Sequence, residues 1–510
     1  MVMKRLVGLA LISMLIFAGS LAQAQQEKPR AGGTVTYATG TDALTLDPQF
    51  VTDVPTSRAV MQIHETLVKY DMNMNIIPCL AESWTTSADR LTWTFKLKRG
   101  IKFHDGTPFN AEAVKYTFDR IVNPAIASPR KSTLVMVKEV KVVDEYSVAV
   151  TTNKPFAPLL AQMTAYNIAI ISPTAAKKWE KKYAQNPAGT GPFKLETWTP
   201  GEKIIFARNE NYWGEKSYVD KVVFKVVPED STRVMLLMSG EADVIASVPP
   251  VLTEKLKQSK DVKILRKMGF RTIYVGLNNK IKPFTDVRVR RAVAHAINPE
   301  AIVNGILNGM ANTGGSFESP VIPGAIQGLK PYAYDPALSK KLLAEAGYPN
   351  GFTTQLYTPT GRYLMDRQVA EAVQAQVKEV GIQAEIKAPD WGTYTALLDK
   401  GTEVPMLLLG KGSPTGDLDL TLNLTIKTGG MMNQFQYGNS KVDEMIKEQE
   451  GIIDTKKRYQ LLYDIQKIVY DECPAVVLFY EDQIFGTRAN VEGVIVYAYE
   501  FIEFAKAWKK

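Results

Sequence analysis

The sequence predicts an α/β protein of more than one domain, on three observations: strand-like and helix-like periodicities alternate along it, its length exceeds what one core supports, and no low-complexity linker divides it. Leu91 to Leu97 alternates apolar and polar residues, as a half-buried strand does. Asn110 then stands as the N-cap of a helix that carries Val114, Phe118 and Ile121 on one face. Asp335-Pro336 reads as a cap followed by Pro at the first helical position, with Gly347 as the stop. Thr354 to Thr358 reads as a strand, Leu364 to Val380 as an amphipathic helix and Ile382 to Lys387 as another strand. A helix from Lys456 to Tyr470 and a strand from Ala475 to Tyr480 close the pattern. Such alternation places helices on the faces of sheets and ligand sites at strand ends or between domains. The 510 residues pass the roughly 250–300 at which single cores stop growing, so two or three domains are expected, joined by tight crossings.

The first residues bear on compartment. Lys4 and Arg5 precede an apolar run from Leu6 to Leu21, and Ala22-Gln23-Ala24 offers small residues where a signal peptidase reads. Cleavage after Ala24 is expected. The run is short against the about 20 residues of a membrane-spanning helix, and no later run resembles it, so the mature chain is expected to be soluble. Gln25, where a lipoprotein signal would have Cys, points to the periplasm rather than a lipid anchor. The formal charge of +8 is spread along the chain in short clusters such as Arg288 to Arg291 and Lys177-Lys178, which read as solvated helix faces and not as a nucleic-acid footprint. Cys79 and Cys473 lie in separate apolar stretches and read as buried thiols, although an oxidising compartment would permit a disulfide.

Enzyme signatures are missing. There is no Walker A sequence, no G-x-S-x-G elbow and no H-E-x-x-H helix. His64, His104 and His295 share no ligand spacing, so neither a metal nor a cofactor is expected. Ser128-Pro-Arg-Lys131 and Lys427-Thr-Gly429 match two of the three β-lactamase signatures, but the third, S-D-N, is absent, and Pro129 puts the serine in a loop where a helix start is required.

The stretch from Leu97 to Val114, Leu-Lys-Arg-Gly-Ile-Lys-Phe-His-Asp-Gly-Thr-Pro-Phe-Asn-Ala-Glu-Ala-Val, resembles the signature of the peptide-type extracellular solute-binding proteins of ABC importers, family 5. Leu46-Asp-Pro48, Leu80-Ala-Glu-Ser-Trp84, Gly189-Thr-Gly-Pro-Phe193, Asn211-Tyr-Trp213, Ser239-Gly-Glu-Ala-Asp243, Val287-Arg-Val-Arg-Arg-Ala292 and Leu342-Leu-Ala-Glu-Ala-Gly-Tyr348 follow the same family order. The resemblance implies a two-lobed periplasmic-binding-protein fold of the class II type with an inserted domain, three in all. Residues 33–75, 186–268 and 486–510 would form domain I, 76–185 the inserted domain II and 269–485 domain III. It implies capture of a small peptide-like ligand between domains I and III, hinge closure, and delivery by a monomer to the permease subunits of an inner-membrane importer. Gly106 and Gly191 would be turn glycines, and Trp84, Trp93, Phe103 and Trp213 packing residues.

The resemblance also nominates ligand-binding residues. Thr41 and Asp42 precede the Leu46-Asp-Pro48 motif in a loop that lines the cleft in the family. Tyr357, Thr360 and Arg362 end a strand, and Arg362 falls where some dipeptide binders keep a carboxylate-clamping arginine, a task that suits a planar guanidinium. Trp391 and Tyr394 would supply an aromatic wall. In the loop Gly412-Ser-Pro-Thr-Gly-Asp-Leu-Asp419, Pro414 occupies the position of the aspartate that holds a peptide amine in the family. The loop resembles the glutathione-binding branch, with Ser413, Thr415 and Asp417 as candidate contacts, Asp417 also suiting a helix N-cap. Glutathione or short peptides are the expected ligands; a nickel chelate, haem, a sugar or an opine in the same transport role is the alternative, and a secreted hydrolase of the same fold a more distant one.

Overall fold

Alternation along the Thr34–Thr39 strand lets one sheet serve two cores. Val35 and Tyr37 are buried on one face with Phe193, Phe206 and Phe224, while Ala38 faces the opposite core with Leu237 and Ile245. In this computed structural model, which describes residues 28–401, 403–413 and 415–510, the strand belongs to an eleven-stranded mixed sheet. The expected signal segment, its cleavage point after Ala24, and Pro414 lie outside the described residues.

Two long antiparallel strands, Val262–Leu277 and Ala475–Arg488, run through the middle of that sheet. At one end, Thr487 and Gly486 pair with Val244 and Ile245, which joins them to the Thr34–Thr39 half. At the other, Thr272 to Leu277 pairs with Met406–Lys411, which joins the parallel strands Phe352–Tyr357 and Ile382–Lys387. Between the halves the register slips: Met268 faces Asp482 and Thr272 faces Tyr480, so Gly269, Phe270 and Arg271 oppose Glu481 alone. Such a bulge bends and twists the ladder. Arg271 lies in it, with Nη1 3.0 Å from Glu481 and Nη2 3.6 Å from Glu500.

Residues 270–480 supply most of the largest core, under helices Pro336–Glu345, Asp366–Lys378 and Thr455–Glu472. Residues 67–170 form a separate core around an antiparallel sheet, Ala81–Thr86, Thr92–Leu97, Ser147–Thr152 and Val137–Asp144. The expected helix covers it at Ala111–Val122, capped by Asn110, with Val114, Phe118 and Ile121 buried. Trp93 and Phe103 are in this core, with Trp84 and Trp213 packed against its edge.

The family-like motifs join these bodies. Asp47 of Leu46-Asp-Pro48 accepts from Gln49 N at 3.1 Å and meets Arg120 in a buried ion pair at 2.7 Å. Glu65 gathers two other motifs: Thr190 Oγ1 and Trp213 Nε1 donate to Oε2, each at 2.8 Å, and Tyr212 OH donates to Oε1 at 2.7 Å. Burial pushes the Glu65 carboxyl up from its ordinary pKa, against these three donors. Gly106 is a turn glycine, with φ +86°. Gly191 lies in a bend without a positive φ, and it must be glycine because a Cβ there would lie 2.7 Å from the Ile63 carbonyl oxygen.

Cys79 and Cys473 are free and buried. The Arg288–Arg291 cluster is not a purely solvated face. Arg290 is buried and donates to the Glu472 carbonyl at 2.7 Å, and Arg291 to that of Asp471 at 2.6 Å, so both close the C-terminus of the Thr455–Glu472 helix. The strand after Ala475 runs past Tyr480 to Arg488, because Glu481 and Asp482 fall at the bulge and pair there with Arg271 and Arg266.

Candidate functional site

The chain leaves the Phe352–Tyr357 strand into a tight turn closed by Asp366, whose Oδ2 accepts from Arg362 N at 2.8 Å and Tyr363 N at 3.2 Å. This turn lays the exposed Arg362 guanidinium over two rings, Tyr363 and Trp391, each 5.1 Å from the guanidinium carbon. Stacking of this kind contributes about 0.5–2 kcal/mol and leaves the in-plane N–H groups free for a carboxylate. Among the described residues no carboxylate forms an ion pair with Arg362. Trp391 opens the helix Trp391–Lys400, capped by Asp390, and stays 37 % exposed. Tyr394 is not part of an aromatic wall: it is fully buried and donates to the Leu408 carbonyl at 2.8 Å. One turn of helix carries it under Trp391, and the wall is Trp391 with Tyr363, whose rings meet edge-on at 6.1 Å.

Of the other strand-end residues, Thr360 donates to the Ala388 carbonyl at 3.2 Å and is exposed, while the Tyr357 hydroxyl bonds Gln355 of its own strand at 3.1 Å. Across the bulge, Thr41 is exposed. Asp42 is spoken for: its Oδ2 accepts from Gly201 N at 2.7 Å and Trp198 Nε1 at 3.2 Å, and its Oδ1 from Ala43 N at 2.7 Å. The carboxylate fixes the loop and does not offer itself to a ligand. Leu44, 73 % exposed in the same loop, is an apolar surface that sequence reasoning missed.

The third loop is buried and held from within. Ser413 Oγ donates to the Asp417 carbonyl at 2.8 Å, and the Thr415 carbonyl accepts from Tyr70 OH at 2.8 Å. Gly416, at φ +64°, packs on the Tyr70 ring, where a Cβ would come within 3.0 Å. Asp417 caps the next helix through Asp419 N at 2.8 Å and pairs with Arg458 at 2.6 and 2.7 Å. With both oxygens taken, Asp417 is unavailable to a ligand amine. Gln449 bridges Arg458 to Asp419, whose carboxyl burial pushes up to about 7 with help from the neighbouring Asp417 and Glu450 charges. Asn423 links Asp419 to Glu450, and Lys154 of the separate core pairs with Glu450.

Two groups missed in the sequence stand next to this loop. Lys411 ends the Met406–Lys411 strand half-buried, with Nζ 2.8 Å from Met432 Sδ. The only sequence signal is a charge closing an apolar strand. Glu318, a lone acid in an irregular segment with no periodicity to mark it, is buried beside it, and burial pushes its carboxyl up to about 8. Among the described residues no cluster of His, Cys, Asp and Glu could hold a metal, and no helix is long and apolar enough to cross a membrane. His64, His104 and His295 bond Tyr183 and the Gly191 and Ala333 carbonyls respectively.

Comparison with known proteins agrees with this architecture. Residues 75–433 match the family described as bacterial extracellular solute-binding proteins, family 5 Middle. The glutathione-binding protein GsiB of Shigella flexneri is 31 % identical over 472 residues, 91 % of this chain and 92 % of that protein. Among solved structures, the ABC transporter-associated periplasmic binding protein DppA of Helicobacter pylori, in complex with the peptide STSA, is 29 % identical with a TM-score of 0.76, over 94 % of this chain and 98 % of that one. HbpA2 of Haemophilus parasuis is 26 % identical with a TM-score of 0.86, over 94 % and 100 %. The mixed sheet divided at a bulge is thus the periplasmic-binding-protein fold, and the chain is a binding protein and not an enzyme. It belongs to family 5 of the bacterial extracellular solute-binding proteins and is the solute-binding component of an ABC importer.

Proposed function

We propose that this protein captures glutathione or a short peptide in the periplasm, closes over it, and delivers it as a monomer to the importer's permease subunits. The observation that carries the ligand class is Arg362: an exposed guanidinium stacked on Tyr363 and Trp391 and unpaired with any described carboxylate suits a ligand with a free carboxylate end. Thr41 and Thr360 flank the opening, and main-chain groups of the 412–419 loop complete it, the side chains of Asp42, Ser413 and Asp417 acting as supports. Relatives named for glutathione or peptide binding support the same class.

In this reading domain I comprises 33–75, 186–268 and 486–510, domain II 76–185 and domain III 269–485, and the segregated cores support the division. Export would follow cleavage after Ala24. The test is native mass spectrometry and calorimetry of the mature protein after ligand stripping. Binding of glutathione or of di- to pentapeptides upholds the reading; binding only of a sugar, an opine or a metal chelate overturns the ligand class.

A further inference from the structure

Strand pairing puts Thr272, Lys411 and Tyr480 opposite one another across three strands, with Tyr274 two residues along on the same face. The Gly314–Ser319 segment is pressed onto that face: Tyr480 OH donates to the Ser316 carbonyl at 2.9 Å, Ser319 Oγ to that of Gly269 at 2.7 Å, and the Phe317 ring is 4.9 Å from Tyr274. Glu318 is thereby 3 % exposed, close enough to Lys411 for the two charges to act on each other without forming an ion pair. Its Oε1, Thr272 Oγ1, Tyr274 OH and Thr421 Oγ1 are all buried without a hydrogen-bond partner among the described residues. Thr421 lies beside the carboxyl without reaching bonding geometry. Orphaned polar atoms gathered in one place, where native proteins leave few, call for an occupant.

We propose that Glu318 and Lys411 together receive a free α-amino-acid group of the ligand, the ammonium on Glu318 at the floor and the carboxylate on Lys411 at the mouth, while Arg362 takes a second carboxylate. This rests on the glutathione-or-peptide reading and narrows it to a γ-linked glutamyl end. Only a side-chain-linked residue keeps ammonium and carboxylate on one carbon. In an α-linked peptide that carboxyl has become an amide, and Lys411 gains no anion. Tyr363 spaces the two cations: its ring carries Arg362, and its hydroxyl bonds the carbonyl of Gly410, the residue before Lys411, at 3.3 Å. Burial keeps Glu318 protonated near neutrality, and pairing with an arriving ammonium releases that proton to solvent.

The experiment is calorimetry on the stripped mature protein with glutathione, its α-linked isomer Glu-Cys-Gly and free glutamate, repeated with Lys411→Met and Glu318→Gln. The pair predicts glutathione at least tenfold tighter than the isomer and than free glutamate, which lacks the carboxylate for Arg362. In Lys411→Met the preference over the isomer falls toward one, whereas Glu318→Gln weakens both isomers, since both carry a free ammonium. Lys411 is half-buried at a strand end, so Lys411→Met keeps the test alive if Glu318→Gln fails to fold. Equal binding of the two isomers, or of glutamate and glutathione, overturns the proposal and leaves a short-peptide binder standing. A γ preference that survives in Lys411→Met also overturns it and makes the cluster a water-filled structural cavity. Binding of none of the three, nor of any peptide in a mixed pool, overturns the wider reading as well.

Discussion

Asp417 and Arg458 form a buried bidentate ion pair, 10 % and 7 % exposed, that anchors the 412–419 loop to the helix Thr455–Glu472. Removing one partner of such a pair strands the other charge and costs about 3–5 kcal/mol. Asp417→Ala should therefore lower the unfolding free energy by that amount in denaturant titrations, with ligand affinity falling only as the loop loosens. Unchanged stability with abolished binding would instead make Asp417 a direct ligand contact.

Arg362 should behave in the opposite way. It is exposed, its turn is held by Asp366, and its cation has no described carboxylate partner. Arg362→Ala should leave the unfolding midpoint nearly unchanged and weaken a ligand with a free carboxylate by about 1.5–3 kcal/mol, the contribution of hydrogen bonds to charged groups. Calorimetry with a carboxylate ligand and its C-terminal amide checks this: the variant should reduce the difference between them.

Legibility in the sequence divided along the same line. Elements with strong local signals read correctly to within a residue or two: the helix after Asn110, the cap at Asp335-Pro336 and the strand Ile382–Lys387. Arg362 and Trp391, nominated from family position, stand exposed and stacked on each other, an arrangement their own elements set up. Asp42 and Asp417 misled because an acid in a loop looks alike whether it meets a ligand or a backbone amide and an arginine 41 residues away. Tyr394 misled because one helical turn separates an exposed wall from a core. Glu318 was invisible, since its burial depends on strands that pair only in the folded chain.

Two acids make stability depend on pH. Folding raises Glu318 from 4.5 to about 8 and Asp419 from 3.8 to about 7, in both cases chiefly by burial. Through these two carboxyls the folded state binds more protons than the unfolded one between about pH 4 and 8. Burial also lowers His64 to about 3 and His104 to about 4 from 6.5, which offsets the acids in the lower part of that window. The net fall in stability therefore comes in its upper part, above the ordinary histidine value of 6.5. Thermal melts of the ligand-free protein should show a midpoint decreasing from about pH 6.5 to pH 9, with little slope between about pH 5 and 6.5 where the histidines and the acids oppose each other. Glu318→Gln should flatten that decrease, and a slope identical to that of the parent protein would mean that the carboxyl titrates normally in the folded state.

If the two halves of the sheet pivot on ligand capture, the bulge at Gly269–Arg271 is the expected place, because there the ladder register is interrupted while both long strands continue. Arg271 pins it by bridging Glu481 of one strand to Glu500 of the C-terminal segment, and the Glu500 charge, ahead of Glu481, raises its pKa despite burial. A ligand that touches both halves shifts the open–closed equilibrium by its differential affinity for the two states. Small-angle scattering should therefore show a smaller radius of gyration at saturating ligand. Arg271→Met leaves Glu481 and Glu500 facing each other without a cation, and their repulsion should reduce ligand affinity and the compaction together. Compaction of the parent protein with none in a variant that still binds fully would separate capture from closure, and an unchanged radius in the liganded parent would rule out the pivot.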